Sequence, residues 1–344
     1  MTRQTGRAGS LARTLGGLAV VVEGVAFERH ELAVAPEFQR VTTTVHLQGG
    51  GREGLGEDVT YQANLHDAFP VPDIVGEWTL DSFSESLEGF RFFDLELMDP
   101  AASDYRRWAW ESAALDLALS QAGTGLAEIL GRERSPVTYV ASMRVEKVWP
   151  LLELEPAMRF KLDPSRDWSE ETIDRLSERE CVDTADFKGV YRGDFGQPPD
   201  PVLYRRIAEA FPEAWLEDPG LDDATNEVLR PHRDRVTWDA PIHSLEDAER
   251  RPFPPRCLNV KPSRFGTVKR LFEFYEWCEG NGVAMYGGGQ FELGIGRVQI
   301  QELASIFHPQ MPNDVAPAEF NNPELPTDFE RSPLSPPQAF GTFL

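Results

Sequence analysis

From about residue 136 onward the chain alternates short β-rich runs with helical runs, and this alternation constrains its fold more than any other feature. Seven β-rich runs lie at residues 137–142, 158–162, 181–187, 214–217, 235–239, 257–261 and 283–286. Helical candidates lie at residues 170–178, 201–210, 224–229, 245–250, 267–279 and 296–307. Parallel strands need long crossover connections, so this alternation predicts a parallel sheet. Seven such runs, with room for an eighth, favour a closed β/α barrel.

The first third of the chain has a different texture. It contains two β-rich runs, a glycine-rich stretch and a helix whose apolar residues recur every three or four positions, at residues 18–27, 40–47, 49–56 and 105–122. We therefore predict an α+β domain over residues 1–135 and the barrel over residues 136–308. Residues 309–344 are rich in Pro, Asn and Asp and are predicted to form a tail that packs back on the first domain.

Charge and composition narrow the classes of partner. The 344 residues include 57 acidic and only 34 basic side chains, for a net charge of −23. Such a surface repels phosphate backbones and anionic membranes, which argues against nucleic-acid and membrane partners but leaves an anionic small-molecule substrate. The apolar run at residues 18–22 is too short to span a membrane. Three sparse cysteines give neither a disulfide framework nor a paired zinc motif, so we expect a cytoplasmic protein.

Five charged residues fall at the ends of successive predicted strands. They are Lys161, Asp186, Glu217, Asp239 and Lys261, separated by 25, 31, 22 and 22 residues. Each step is about one β/α unit, and a β/α barrel carries its active site at the carboxyl ends of its strands. The sequence therefore predicts that three carboxylates converge between two lysines.

This set of side chains suggests a definite chemistry. Three carboxylates suit a hard octahedral ion such as Mg²⁺, which can hold a substrate carboxylate and stabilise the charge that develops when an α-proton leaves. Lys161 and Lys261 come from opposite sides of the barrel and would approach opposite faces of a planar enolate. Arg159 lies two residues before Lys161, which predicts that it acts on Lys161 or on the substrate carboxylate.

Five short motifs, in this order and at this spacing, resemble those of the enolase superfamily and of its muconate-lactonizing-enzyme-like subgroup. They are RFK at 159–161, DFKG at 186–189, WLEDP at 215–219, NVKPSRFG at 259–266 and GGGQFELGIGR at 287–297. The last is similar to the Gly-Gly-x-x-Glu-x-Gly-Ile-Gly-Arg run of o-succinylbenzoate synthase-like members. Residues 40–47, 54–61 and 105–122 resemble segments of the family's capping domain.

The resemblance implies an α/β fold, a modified TIM barrel of the (β/α)7β type with an α+β N-terminal capping domain. It implies Mg²⁺, with Mn²⁺ as a substitute, held by Asp186, Glu217 and Asp239. Lys161 and Lys261 fall on the acid/base positions. Arg159 falls where many members carry the first lysine of a Lys-x-Lys pair, and a guanidinium there can hold charge but not transfer protons.

The resemblance further implies removal of the proton α to the carboxylate of a small-molecule substrate. The seventh strand ends in glycines and lacks the histidine of mandelate-racemase-like members. Residues 291–296, taken as the approach to the eighth strand, lack the Asp-x-Asp of dipeptide epimerases. An o-succinylbenzoate synthase-like dehydratase is the preferred interpretation, with N-acylamino-acid racemase, lactonizing cycloisomerase and a catalytically silent enolase-like binding protein as alternatives. Family specificity loops correspond to residues 28–39 and 53–65, and family members often form homo-oligomers.

Two assignments stay open from the sequence alone. Asp183 and Asp186 both lie in the third predicted strand run, and Asp186 is preferred because it is nearer the strand's end. Glu292 is predicted either to line the substrate pocket or to bind Arg297.

Overall fold

The computed structural model describes residues 10–94, 97, 99–191 and 196–341, so the first nine residues of the predicted capping domain and the last three of the predicted tail lie outside it. The N-terminal unit comprises, in chain order, α1 (Ser10–Gly16), β1 (Ala19–Val22), β2 (Gly24–Ala35), β3 (Phe38–Gly49), β4 (Arg52–Asp58), β5 (Gly76–Thr79), α2 (Leu80–Ser86), α3 (Ala102–Ala122) and α4 (Leu126–Ile129). This is the mixed α+β unit that the sequence predicts.

Strands β2, β3 and β4 form an antiparallel meander, and β1 pairs with β5 in a separate two-stranded sheet. The β2–β3 hairpin is long, and the predicted specificity segment at residues 28–39 forms its distal half. Its register shifts between Ala33 and Ala35, where an irregularity interrupts the ladder.

The glycine-rich stretch at residues 49–56 continues the sheet. Gly50 and Gly51 turn the chain with positive φ angles of 58° and 68°, and β4 then carries Gly54 and Gly56 against α3. A Cβ atom on Gly54 would lie 2.2 Å from the Leu117 nitrogen. The glycines are needed because the helix backbone lies directly on the strand.

The second unit is a barrel of parallel strands. Its strands are β6 (Ala141–Ser142), β7 (Phe160–Leu162), β8 (Val182–Asp186), β9 (Trp215–Glu217), β10 (Val236–Thr237), β11 (Cys257–Val260) and β12 (Ala284–Gly287). Strands β6 to β10 pair in sequential order, β11 pairs with β12, and the Asn259 amide donates to the Trp238 carbonyl (3.1 Å) between the two sheets.

Apart from the first of them, which was not among the predicted helices, the barrel's helices lie within two residues of their predicted bounds. They are α5 (Val148–Leu154), α6 (Glu170–Arg179), α7 (Pro201–Ala210), α8 (Asp223–Leu229), α9 (Leu245–Glu249), α10 (Val268–Asn281) and α11 (Ile295–Phe307). Helix α5 fills the first connection, which the sequence shows to be short. Side chains of Ser169, Asp200, Asp222, Ser244 and Thr267 cap α6 to α10.

The eighth position of the barrel is filled by residues 313 and 314, which lie beyond the predicted barrel boundary at 308. Asn313 bridges to Tyr139 and Asp314 to Gly288, both in parallel. The Asn313 side chain accepts from the Gly287 amide (2.6 Å) and donates to the Thr138 carbonyl (2.9 Å). Two single bridges within a proline-rich stretch carry no strand periodicity, so the sequence pattern could not reveal them.

The remaining tail runs beside the first barrel strand and then reaches the capping domain. Leu334 bridges to Val137, and the Gly341 amide donates to Asp116 on α3 (2.7 Å). The amides of Ala339 and Phe340 donate to Glu302 on α11. In the described part of the chain no helix is both long enough and apolar enough to cross a membrane.

Candidate active site

The five residues predicted to converge do lie at the carboxyl ends of adjacent strands. Asp186 ends β8 and stands in register with Glu217, which ends β9. Lys161 lies within β7, Lys261 directly follows β11, and Asp239 follows β10 by two residues. All five are buried. Parallel pairing of short strands is what brings these side chains together.

Lys161 is surrounded by carboxylates. Its Nζ forms an ion pair with Glu217 Oε1 and lies 3.6 Å from both Asp186 Oδ2 and Asp314 Oδ2. Burial alone would lower the pKa of Lys161, but the facing carboxylates outweigh it and raise that pKa well above the usual value. In this arrangement Lys161 is a charged ammonium.

Lys261 and Arg264 together hold Asp239. The distances are 3.0 Å from Lys261 Nζ to Asp239 Oδ2 and 2.7 Å from Arg264 Nη1 to Asp239 Oδ1. The Tyr191 hydroxyl donates to Oδ2 at 3.2 Å. Although burial opposes ionisation, the two cations hold the pKa of Asp239 well below its usual range.

A cluster of three carboxylates is formed by Asp186, Glu217 and Asp218, whose oxygens lie within 4.8 Å of one another. Among the described residues, the cluster does not include Asp239, which the sequence predicts as the third metal ligand. Burial and the neighbouring acids raise the pKa of Glu217 to about 8 and that of Asp218 to about 7. The Asp218 oxygens accept backbone hydrogen bonds from Asp239 (2.9 Å) and Ala240 (2.8 Å).

The charges of the whole network do not balance. Lys188 adds contacts of 2.6 Å to Asp186 and 3.3 Å to Asp163 at the partly exposed rim. The connected acids are Asp163, Asp186, Glu217, Asp218, Asp239 and Asp314, against the cations Lys161, Lys188, Lys261 and Arg264. If all six acids are ionised, the network carries two surplus negative charges, which one divalent cation would neutralise. These oxygen donors therefore fit a hard ion such as Mg²⁺.

The second oxygen of Glu217 is held by a phenol. Tyr286 on β12 donates its hydroxyl to Glu217 Oε2, and both side chains are buried. Burial and the Glu217 carboxylate raise the pKa of Tyr286 well above its usual value. Tyr286 thus acts as a neutral donor that orients Glu217.

The structure does not bring Arg159 to this group. Its guanidinium pairs with Asp183, with Nε 3.1 Å from both carboxylate oxygens, and its side chain is 41% exposed. The β7–β8 register shifts at this point, because Phe160 pairs with Val182 and Lys161 with Thr184, and Asp183 is the extra residue of β8 that the Arg159 guanidinium binds. Asp183, the alternative ligand, is engaged by Arg159.

Glu292 is buried and faces Arg297. The Arg297 Nη2 to Glu292 Oε2 distance is 3.3 Å, and Oε1 accepts from the Gln290 amide (2.5 Å). Of the two alternatives that the sequence leaves open, the structure shows the Arg297 contact.

A cavity of about 560 Å³ is lined in part by Asp314, whose carboxylate lies 3.6 Å from Lys161 Nζ. Asp314 and Gly289 line its barrel side, and Val34, Ala35 and Tyr61 line its capping-domain side. Both predicted specificity segments, residues 28–39 and 53–65, therefore contribute to its wall.

Several polar residues of the site were not singled out from the sequence. Lys188, Asp218 and Arg264 lie inside the motifs DFKG, WLEDP and NVKPSRFG, so their positions next to the predicted residues were a usable signal. Tyr286 ends a recognised strand. Asp314 lies on the bridge that completes the barrel and had no comparable signal.

The chain matches a family along most of its length. Residues 13–129 match the N-terminal domain and residues 133–322 the C-terminal domain of a domain of unknown function, DUF8230. An N-succinylamino acid racemase from Thermus thermophilus is 25% identical over 311 residues, covering 84% of this chain and 82% of the relative. An o-succinylbenzoate synthase from Bacillus subtilis is 32% identical over 83 residues, 24% of this chain and 22% of the relative.

The fold is also found in solved structures. A dipeptide epimerase from Enterococcus faecalis superposes with a TM-score of 0.68 at 15% identity, covering 93% of this chain and 98% of that one. The chain belongs to the DUF8230 family and is a member of the enolase superfamily of lyases and isomerases, in its muconate-lactonizing-enzyme-like subgroup.

Proposed function

We propose that the enzyme removes the proton α to a substrate carboxylate and that Lys161 and Lys261 are its acid and base. The observation that carries this proposal is the pair of buried lysines on either side of a network in which the carboxyl groups outnumber the cationic side chains by two. The enolate of a carboxylate carries two negative charges. Inside a buried network of carboxylates it can form only if a counter-ion is bound there.

Asp186 and Glu217 would hold the ion, with Asp239 as the third ligand. Mg²⁺ bound there supplies a positive charge that holds the substrate carboxylate and stabilises the negative charge of the deprotonated form. Once the surrounding carboxylates are neutralised, burial is the dominant influence on Lys161 and lowers its pKa toward the range of a base. Tyr286 fixes the orientation of Glu217 throughout.

Two outcomes of proton removal are compatible with this site. In an o-succinylbenzoate synthase-like dehydration, one lysine removes the α-proton and hydroxide then leaves the adjacent carbon. In an N-acylamino-acid racemisation, the second lysine returns a proton to the opposite face. The racemase relative that covers 84% of the chain favours this second candidate, and the placement of the lysines on opposite sides of the barrel suits it.

Proton exchange in D₂O tests the proposal. Purified enzyme with Mg²⁺ is incubated with N-acyl amino acids, hydroxy acids and the cyclohexadiene carboxylate that o-succinylbenzoate synthases dehydrate, and the α-proton is followed by NMR. We expect Mg²⁺-dependent exchange that falls at least about 100-fold in Lys161→Ala and in Lys261→Ala. Lys269→Ala, an exposed lysine on α10, is the matched control and should stay within about twofold. Full exchange in both site variants would exclude the proposed mechanism.

A further inference from the structure

Lys188 binds Asp186 both with its backbone and with its side chain. Its amide donates to Asp186 Oδ1 (3.0 Å), and its ammonium donates to Oδ2 (2.6 Å). Oδ2 also lies 3.6 Å from Lys161 Nζ, so this oxygen faces the buried network. Because Oδ1 is bound by the backbone, Oδ2 is the oxygen that Asp186 offers to an ion.

The backbone around Lys188 is held by close packing. Lys188 has a positive φ of 49°, a region that residues other than glycine seldom adopt. The next residue, Gly189, donates to the Asp218 carbonyl (2.8 Å), and a Cβ on it would lie only 2.1 Å from the Gly220 nitrogen. The fold therefore fixes the contact between the Lys188 amide and Asp186, whereas the flexible four-carbon side chain can change its conformation.

The ammonium of Lys188 has a second partner at the rim of the site. Asp163 Oδ1 lies 3.3 Å from Nζ, and the centre of the Tyr191 ring lies 5.1 Å from it. The exposed fraction is 24% for the side chain of Lys188 and 45% for that of Asp163, against 1% for Asp186. Burial opposes the charge of Lys188, but Asp186 and Asp163 outweigh it and raise its pKa above the usual value. The charged ammonium thus lies between a buried and an exposed carboxylate.

A divalent ion on Asp186 and this ammonium would compete for one oxygen. Mg²⁺ binds carboxylate oxygens at about 2.1 Å, so the two cations would repel each other in a buried site with little water to screen them. Lys161, the other cation near Oδ2, is 4% exposed and enclosed by carboxylates. Lys188 reaches solvent and has Asp163 as an alternative partner, so it is the cation that can yield.

We propose that Lys188 is a tethered competitor of the metal ion. Its ammonium neutralises Asp186 while no ion is bound, and it moves to Asp163 at the rim when an ion takes Asp186 Oδ2. The enzyme then binds Mg²⁺ more weakly than its carboxylates alone would, and Asp163 offsets part of that loss by receiving the displaced charge. This inference rests on the proposed function only in taking Asp186 as a ligand of the ion.

Calorimetric titration of the metal-free enzyme with Mg²⁺, without substrate, tests the competition. Lys188→Met keeps most of the length of the side chain and removes its charge, so Mg²⁺ should bind at least about tenfold more tightly. Lys188→Gln keeps a hydrogen-bond donor near Asp186 and should show a similar gain. Lys188→Arg keeps the charge and should stay within about threefold of the wild type. An affinity that is unchanged or lower in both Lys188→Met and Lys188→Gln would overturn the competition.

Lys269→Met is the control for net charge. It removes an exposed lysine from α10 and should leave the Mg²⁺ affinity within about twofold of the wild type, because solvent and salt screen a distant surface charge. A gain equal to that of Lys188→Met would assign the effect to overall charge and overturn the competition.

A double-mutant cycle tests the part of Asp163. Asp163→Asn removes the alternative partner and should weaken Mg²⁺ binding about three- to tenfold. In the Lys188→Met background the same substitution should change the affinity by less than about twofold, because no displaced ammonium has to be received. An equal loss in both backgrounds would show that Asp163 acts by its own charge and would overturn its role as the receiving carboxylate.

Separate measurement of α-proton exchange at varied Mg²⁺ concentration distinguishes this inference from the proposed function. Tighter Mg²⁺ binding in Lys188→Met without exchange of any substrate would support the competition and count against the reaction. Mg²⁺-dependent exchange with an unchanged Mg²⁺ affinity in the Lys188 variants would support the reaction and overturn the competition. Half-maximal exchange at a lower Mg²⁺ concentration in Lys188→Met than in the wild type would support both.

Discussion

Asp218 and Asp239 are close neighbours in the site, but their carboxylates are held in different ways. Both oxygens of Asp218 accept backbone N–H groups of the turn that carries Asp239 and Ala240. Asp239 is held instead by the side chains of Lys261, Arg264 and Tyr191. Side-chain partners can be exchanged for a metal more readily than the backbone of a folded turn.

We therefore expect Asp239→Asn to weaken Mg²⁺ binding at least about tenfold, because the site loses a ligand charge. Asp218→Asn should lower the unfolding temperature but change Mg²⁺ affinity by less than about threefold. Titration calorimetry with Mg²⁺ checks both variants, and Asp186→Asn serves as a positive control. A larger loss of affinity in Asp218→Asn than in Asp239→Asn would assign the third ligand to Asp218.

Arg159 gives a second prediction for a single residue. Its guanidinium is partly exposed and bound to Asp183, so Arg159→Gln should change kcat/KM by less than about threefold. Loss of a half-exposed ion pair should cost about 0–1 kcal/mol of unfolding free energy. Steady-state kinetics and urea denaturation measure the two effects. A drop in kcat/KM of two orders of magnitude would instead place Arg159 on the substrate.

The comparison between Arg159 and Lys161 shows what sequence spacing can predict. The strand ends at Lys161, Asp186, Glu217 and Lys261 follow from the periodicity of the barrel, since each ends or follows a recognisable β-rich run. Arg159 instead binds Asp183, the extra residue at a register irregularity of β8, and no local pattern in the sequence specifies that irregularity.

Strand β4 lies very close to helix α3 in the capping domain. A Cβ on Gly56 would lie 2.1 Å from the Ala109 carbonyl oxygen, well inside van der Waals contact. Gly56→Ala must therefore move the strand away from the helix, and we expect it to cost about 3 kcal/mol or more of unfolding free energy. Thermal and urea denaturation measure the loss.

Gly280→Ala on α10 is the matched control for this prediction. A Cβ there meets no atom within 4 Å, so the substitution should stabilise the helix by about 0.5–1 kcal/mol. If Gly56→Ala were as stable as the wild type, the close approach of β4 to α3 would be wrong.

Elements with a strong local signal were predictable, and those defined by tertiary contact were not. Helices such as α7 and α11 carry apolar periodicity, and their bounds differ little from the sequence prediction. The strand at residues 52–58 was hidden because glycine has a low intrinsic preference for strands. The barrel's closure by Asn313 depends on hydrogen bonds to distant residues, which the sequence does not display.

The two domains are joined by buried charges of the capping domain. Arg40 on β3 donates to the carbonyls of Gln290 and Phe291 in the loop after β12, and Glu57 at β4 accepts from the amides of Leu293, Gly294 and Gly296 at the start of α11. The same loop borders the site, because a Cβ on Gly288 would lie 2.8 Å from Lys261 Cε. The capping domain therefore positions the loop beside Lys261, the lysine to which we assign a catalytic role.

A carboxylate at the junction of the capping domain and the tail should make stability depend on pH. Asp116 accepts from the amides of Leu55 on β4 and Gly341 in the tail. Burial, together with Glu302 and Glu53, raises the pKa of Asp116 from 3.8 to about 7 despite these hydrogen bonds. The folded state thus binds a proton that the unfolded state releases between about pH 4 and pH 7. This contribution to stability is complete below pH 4 and is lost as the pH rises through 7.

Asp116→Asn removes the titration and isolates its effect. The substitution replaces one accepting oxygen with an NH₂ donor that faces a backbone N–H group. This mismatch should lower the free energy of unfolding by about 1–3 kcal/mol at every pH. The wild type's advantage in unfolding free energy over Asp116→Asn should then shrink by about 2–3 kcal/mol between pH 5 and pH 8, because two pKa units of titration fall in that interval. Urea denaturation at both pH values measures it, with exposed Asp73→Asn as the control that should show no such change. An advantage that stayed constant within about 0.5 kcal/mol would mean that Asp116 is ionised throughout and that the tail's attachment does not depend on its proton.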